Sequence, residues 1–225
     1  MPRPTTISVN SENRLFVLLA QDENKYVRRT LAQNPDCPTA VLNLMKDDEY
    51  EAVLQAVAQH ENATTALLAH LAKSGAEWVR FAVAANRKTS SKTLNGLASD
   101  ANSFVRKNVT LNPSASSATI TRLCEDANPY VRSAAAAHTR VLPTSLSALA
   151  ADPDPFVRAV VGGSGKTFSK DLDALSTDTN EFVRASVAGN PRTRRHTRES
   201  LAVDTSDRVR SAVALVIGSR ASTAA

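Results

Sequence analysis

Three sets of residues in this 225-residue chain are of types that do chemistry. The string VVGGSGKT at 160–167 is close to the glycine-rich loop G-x4-G-K-[ST], which cradles phosphates with backbone N–H groups. The position of its first required glycine holds Val160, and no strand pattern precedes it, so nucleotide binding is not expected. Gly162, Gly163 and Gly165 read instead as a loosened bend. The string PRTRRHTR at 191–198 gathers Arg192, Arg194, Arg195 and Arg198, a candidate surface for an anion or nucleic acid, with a polar end cap as the competing reading. The cysteines Cys37 and Cys124 and the histidines His60, His70, His138 and His196 stand at no metal-ligand or triad spacing. No catalytic residue, metal or cofactor is expected, and the chain does not read as an enzyme.

The net charge of +5 and a pI near 9.5 invite a nucleic-acid reading, so the placement of the charge matters. Residues 1–112 carry 13 Lys and Arg against 11 Asp and Glu, and residues 113–225 carry 14 against 11. Without the four clustered arginines the excess falls from +5 to +1. No apolar run is long enough to span a bilayer and the amino-terminal stretch MPRPTTISVNSENR lacks the apolar core of a secretory signal, so a cytoplasmic protein with reduced, structural cysteines is expected.

What positions these residues is a register. Val27, Val53, Val79, Val105, Val131, Val157, Val183 and Val209 recur every 26 residues, and Arg follows seven of the eight. A fixed period of this size marks a supersecondary unit that stacks on copies of itself to complete a core. Each copy predicts two short helices. The second opens after an Asp, placed to cap or flank it, and carries apolar residues four apart, as at Val27 and Leu31 or Val105 and Val109. It stops at Asn34-Pro35, Asn112-Pro113 or Asn190-Pro191, where proline cannot continue a helix. The first helix carries apolar pairs three apart, such as Leu68 and Leu71 or Leu172 and Leu175. Strand alternation is absent. The expected architecture is an all-α solenoid of eight two-helix repeats over residues 12–217, with an extension at 1–11 and a tail at 218–225.

Two columns of the repeat carry further chemistry. Asp stands five residues before the Val at 22, 48, 100, 126, 152, 178 and 204, and Arg one after it at 28, 80, 106, 132, 158, 184 and 210. Repeat two has Leu54 in place of its Arg and repeat three has Ser74 in place of its Asp. If each Arg pairs with the Asp of the following repeat, both losses fall on one rung; this favours a ladder of charge-assisted hydrogen bonds over a row of arginines offered to phosphates. The aromatic column before the Val, Tyr26, Trp78, Phe104, Tyr130, Phe156 and Phe182, is expected to pack between repeats rather than stack bases.

The Asp-x4-Val-Arg element resembles that of HEAT-like repeats. With the tail VR-x2-VA-x-NP followed by L-x2-LA-x-D, matched best at Val27–Pro35, Val105–Pro113 and Val183–Pro191, the chain resembles the leucine-rich repeat variant family over about nine tenths of its length. That resemblance implies a right-handed α-α superhelix in which some helices are 3₁₀. A founding member carries a cysteine-ligated iron-sulfur cluster ahead of its repeats; Cys37 and Cys124 cannot supply four ligands, so the cluster is not carried over.

The function expected is a non-catalytic scaffold that binds a protein or peptide on the concave face lined by the second helices. One lining column reads Arg29, Gln55, Phe81, Lys107, Ser133, Ala159, Ala185 and Ser211, too mild for a phosphate track. The alternative is a nucleic-acid-binding solenoid that uses Arg29, Lys107 and the arginines at 192–198. Candidate binding residues are therefore Arg29, Phe81, Lys107, Arg192, Arg194, Arg195 and Arg198, and the sequence leaves the oligomeric state open.

Overall fold

The structure, a computed structural model, describes residues 11–221, and the backbone of these residues forms sixteen α-helices and no strand. In chain order these are α1 (Ser11–Ala20), α2 (Lys25–Gln33), α3 (Thr39–Leu44), α4 (Glu51–Gln59), α5 (Thr65–Leu71), α6 (Glu77–Ala85), α7 (Ser91–Leu97) and α8 (Ser103–Leu111), then α9 (Ser117–Leu123), α10 (Pro129–Ala136), α11 (Pro143–Leu149), α12 (Pro155–Gly163), α13 (Ser169–Leu175), α14 (Glu181–Ala188), α15 (Arg195–Leu201) and α16 (Asp207–Ala221). Most of the two terminal segments, residues 1–10 and 222–225, lies outside the described residues.

The helices divide between two compact units, residues 1–115 with α1–α8 and residues 116–225 with α9–α16. Within the first, α2, α4, α6 and α8 pack in succession; within the second, α10, α12, α14 and α16 do the same. In both units these even-numbered helices are the second helices of the repeats; the odd-numbered helices, all shorter but α1, lean on them, except that α3 packs chiefly on α1. The buried stripe is the one the spacing predicts. Val53, Val57, Val79, Val83, Val157, Val161, Val183 and Val187 are sealed from solvent, and so are Leu42, Leu68, Leu94, Ile120, Leu146 and Leu172 of the odd-numbered helices. Fully burying each such side chain contributes about 1.5–3 kcal/mol, which lets helices of about two turns persist.

Local chemistry sets the helix ends. The register Asp was expected to cap or flank the second helix; it flanks. The capping side chain stands two residues later, where Asn24, Asn102, Asn128, Asp154 and Asn180 accept the N–H of Tyr26, Phe104, Tyr130, Phe156 and Phe182. The register Asp accepts the N–H of the capping residue itself, as in Asp22 with Asn24 (2.8 Å) and Asp100 with Asn102 (2.9 Å). Two linked side-chain turns thus lead into each of these helices. Of the odd-numbered helices, α5, α7 and α9 are capped by Thr64, Ser90 and Ser116. Their bonds are of the α type from the first turn, as in Leu68 N–H to Thr64 C=O and Ala72 N–H to Leu68 C=O, both 2.9 Å, so the 3₁₀ form implied by the resemblance is not adopted there.

Of the glycines expected to mark a loosened bend, Gly165 lies in the turn after α12, whereas Gly162 and Gly163 are helical. Helix α12 runs unbroken to Gly163, and no glycine of the described residues has a positive φ. A methyl on Gly162 would lie 3.1 Å from Cγ2 of Val187 and 3.3 Å from Cβ of Ser186, so this glycine lets α12 and α14 approach closely. Lys166 donates to the carbonyls of Thr139 and Val141, and Thr167 to that of Val161. The string therefore lies at a helix carboxyl end, where carbonyls rather than N–H groups are presented, the wrong polarity for a phosphate.

Candidate macromolecule-binding surface

The arginine column is engaged inside the fold. Arg28 donates through Nε and Nη2 to both oxygens of Asp48 at 2.6 and 2.9 Å, a bidentate pair that recurs at Arg80 with Asp100, Arg132 with Asp152, Arg158 with Asp178 and Arg184 with Asp204. In every case the partner is the Asp of the following repeat. The remaining nitrogen, Nη1, donates back to the carbonyl of the residue in the arginine's own register-Asp position, as from Arg158 to Asp152 (2.8 Å) or, where Ser replaces the Asp, from Arg80 to Ser74 (2.9 Å). Burial acts to push the carboxyls of Asp48, Asp100 and Asp152 up, but the guanidinium and a backbone N–H together hold them below the ordinary carboxylate range. For Asp178 and Asp204 the guanidinium bond is the larger influence, with the same net direction. These arginines are structural groups and are not free for phosphates.

A second ladder escaped the sequence reading. In the sequence the Asn residues that end the second helices read as stop signals; in the structure Asn112 also donates through Nδ2 to the carbonyls of Ala84 (2.8 Å) and Asn86 (2.9 Å), while its Oδ1 accepts the N–H of Ser114 (3.0 Å). Asn86 and Asn190 repeat this arrangement. His60 reproduces it with two ring nitrogens: Nδ1 accepts the N–H of Asn62 at 2.9 Å, which leaves the proton on Nε2 to donate to the Asn34 carbonyl at 2.7 Å. The signal was the recurrence of Asn, and of a residue able both to donate and to accept, in one column.

The aromatic column overturns its expectation. Tyr26, Trp78, Phe104, Tyr130, Phe156 and Phe182 are 53–65% exposed and do not fill the space between repeats. They occupy the second position of each second helix. At about 100° per residue, a side chain just before the buried Val points away from the stripe that continues through the residue four later. The rings stand along the helix starts, with Tyr130 and Phe156 tilted at 6.4 Å between centroids and Trp78 edge-on to Phe81 at 6.1 Å. In the second unit, Phe156, Phe182, Arg208 and Leu215 border an open groove of about 860 Å³ floored by Ala159, Ala185 and Ser211. In the first unit, Tyr26, Tyr50, Lys25 and Arg29 border a smaller hollow of about 210 Å³, with Lys25 Nζ 4.4 Å from the Tyr50 ring centre.

Carboxylates stand beside the rings. The first position of each second helix reads Lys25, Glu51, Glu77, Ser103, Pro129, Pro155, Glu181 and Asp207. Glu77 and Glu181 directly precede a ring of the aromatic column, a pairing that the sequence reading does not single out.

The candidate residues fall on helices of two kinds, one set in each unit. Arg29, Phe81 and Lys107 lie on the second helices α2, α6 and α8, Arg29 exposed and the other two half-buried. The arginines at 192–198 belong to the bend before α15 and to α15 itself, a first helix. Arg194 pairs with Asp173 at 2.8 Å and Arg195 with Glu199 at 2.8 Å. Arg192 donates to the Gly165 carbonyl, and Arg198 to those of Asn190 and Thr193. Cys37 and Cys124 are free and buried, and burial pushes both thiols up to about 11, which keeps them protonated and unreactive. Among the described residues no helix is long and apolar enough to cross a membrane.

No family model and no curated protein matches the chain. Among solved structures it is similar to one described as a leucine-rich repeat variant with a novel repetitive protein structural motif, at 24% identity over 90% of this chain and 81% of that one, with a TM-score of 0.72. A designed armadillo repeat protein, YIII(Dq)4CqI, aligns at 16% identity over 90% of this chain and 97% of that one, with a TM-score of 0.34. Helix pairs in a 26-residue register, matched over nine tenths of the chain by the first of these structures, make this an all-α helical repeat protein with the fold of a leucine-rich repeat variant.

Proposed function

We propose that the chain is a non-catalytic scaffold that binds a protein or peptide segment along the starts of its second helices. The observation that carries this reading is the exposed aromatic column with carboxylates set beside it. Large rings left in water are anchor groups for a partner, and Glu51, Glu77, Glu181 and Asp207 among them repel a phosphate backbone. The ladder arginines are committed to Asp, and Arg194 and Arg195 have acidic neighbours at the surface, so the arginine column does not form a track for phosphates. The free thiols of Cys37 and Cys124 suit a reducing compartment such as the cytoplasm.

The test is selection from a displayed library of random peptides, followed by affinity measurement against the wild-type chain and the Phe156→Ala/Phe182→Ala variant. Enriched peptides should bind the variant about tenfold more weakly. The reading fails if no peptide is enriched while labelled nucleic acid binds with a steep salt dependence that Arg192→Ala/Arg194→Ala/Arg195→Ala/Arg198→Ala abolishes; the nucleic-acid alternative would then hold.

A further inference from the structure

Within the second unit the chain displays what its ring-and-acid column is able to hold. Arg208 stands where other repeats carry the aromatic, and its guanidinium lies 4.3 Å from the centre of the Phe182 ring. Its Nε is 3.9 Å from Oε1 of Glu181, while Oε2 of that carboxylate accepts the hydroxyl of Ser206 at 2.5 Å. An arginine from the next repeat is thus received on a ring face beside a carboxylate that a polar side chain holds in place.

The same four positions, four repeats earlier and wholly within the first unit, are Glu77, Trp78, Asn102 and Phe104. Asn102 donates through Nδ2 to Oε2 of Glu77, as Ser206 does to Glu181. Trp78 is exposed, and the residue in Arg208's column is Phe104, a second exposed ring. Arg80 feels the charge of Glu77, but its Nε and Nη2 are taken up by Asp100. The acceptor is therefore built, with the stronger cation-binding ring, and among the described residues no arginine is stacked on it.

We propose that Glu77 and Trp78 receive an arginine side chain of a bound peptide, the guanidinium stacked on the indole and paired with Oε1 of Glu77. This rests on the reading of the second-helix starts as a peptide-binding surface. Arginine fits better than lysine because a planar guanidinium stacks on a ring and still has in-plane donors for the carboxylate. Phe81, edge-on to Trp78, fixes the indole plane.

Trp78 is the one tryptophan in the chain, so its emission reports this site alone. The full chain would be titrated with a capped peptide alternating glycine and arginine, and with the same peptide carrying citrulline, the uncharged isostere. The expected result is a saturable change in emission with the arginine peptide and none with citrulline at equal concentration. Glu77→Gln, which keeps a carbonyl for Asn102, should raise Kd at least about threefold with no change in unfolding midpoint. Phe104→Arg should alter the emission of the free chain and remove the response to peptide, because it supplies an internal occupant. The proposal is overturned by silence up to about 10 mM peptide, by an equal response to citrulline, or by an unchanged Kd in Glu77→Gln. If library-selected peptides bind in a Phe156- and Phe182-dependent way while the arginine peptide is silent, this inference falls and the scaffold reading stands. If neither binds, both fall.

Discussion

His60 takes the part of an asparagine. Its ring offers one acceptor and one donor at about the separation at which the amide offers them, to the N–H of Asn62 and the C=O of Asn34. His60→Asn should therefore change stability by less than about 0.5 kcal/mol, whereas His60→Leu strands both backbone groups and should cost about 1–3 kcal/mol in urea unfolding. Phe182 makes the opposite case. Because the ring is half in water, Phe182→Ala should cost less than about 1 kcal/mol, against about 2–5 kcal/mol for Leu172→Ala in the sealed core. A loss for Phe182→Ala as large as that for Leu172→Ala would return the aromatic column to the packing role first expected of it. At this scale the sequence was legible where one residue type does one thing. Val157 and Leu172 bury because they are apolar at helical spacing. It was less legible where type and environment part company: an aromatic is read as core by default, and only the angle between Phe182 and the Val183–Val187 stripe reveals that it faces outward.

Between elements, the paired loss of Leu54 and Ser74 is the clearest sign that the ladder runs forward from one repeat to the next. Both residues border one hollow of about 330 Å³ beside Asp48 and His70, where other repeats place a bidentate pair. Leu54→Arg alone should not stabilise the chain, since Ser74 offers no carboxylate. Leu54→Arg with Ser74→Asp should show a favourable coupling of about 1 kcal/mol or more in a double-mutant cycle, and purely additive effects would count against the rung. This pairing could be read from sequence because two absences coincided. The asparagine ladder left no such mark: Asn86, Asn112 and Asn190 are present where they are needed, and His60 fills its column with a different residue type, so the column looked like a set of turns.

Across the whole molecule, five described rungs respond to pH in the same direction. Their aspartates are held below the ordinary carboxylate range in the folded chain, so the unfolded chain binds protons first as pH falls. The stability they contribute is complete above the unfolded value near 4 and is lost as pH drops through the lowered folded values. The urea midpoint should be nearly flat from about pH 7 to 5 and fall steeply below about 4. Asp100→Asn should be less stable than wild type at neutral pH, with the gap closing in acid; a gap that stays constant would mean that the Asp100 charge contributes nothing. The forward direction of the rungs has a consequence for changes in the length of the array. Each Arg reaches an Asp 20 residues ahead, so the junction between neighbours is written the same way at each of these steps. Excising Asp152–Thr177 would bring Asp178 into register with Arg132 and leave a chain whose seam is already complementary, while a cut one residue longer or shorter would not. The bidentate pairs thus make the array tolerant of losing or gaining a whole module and intolerant of a fractional one.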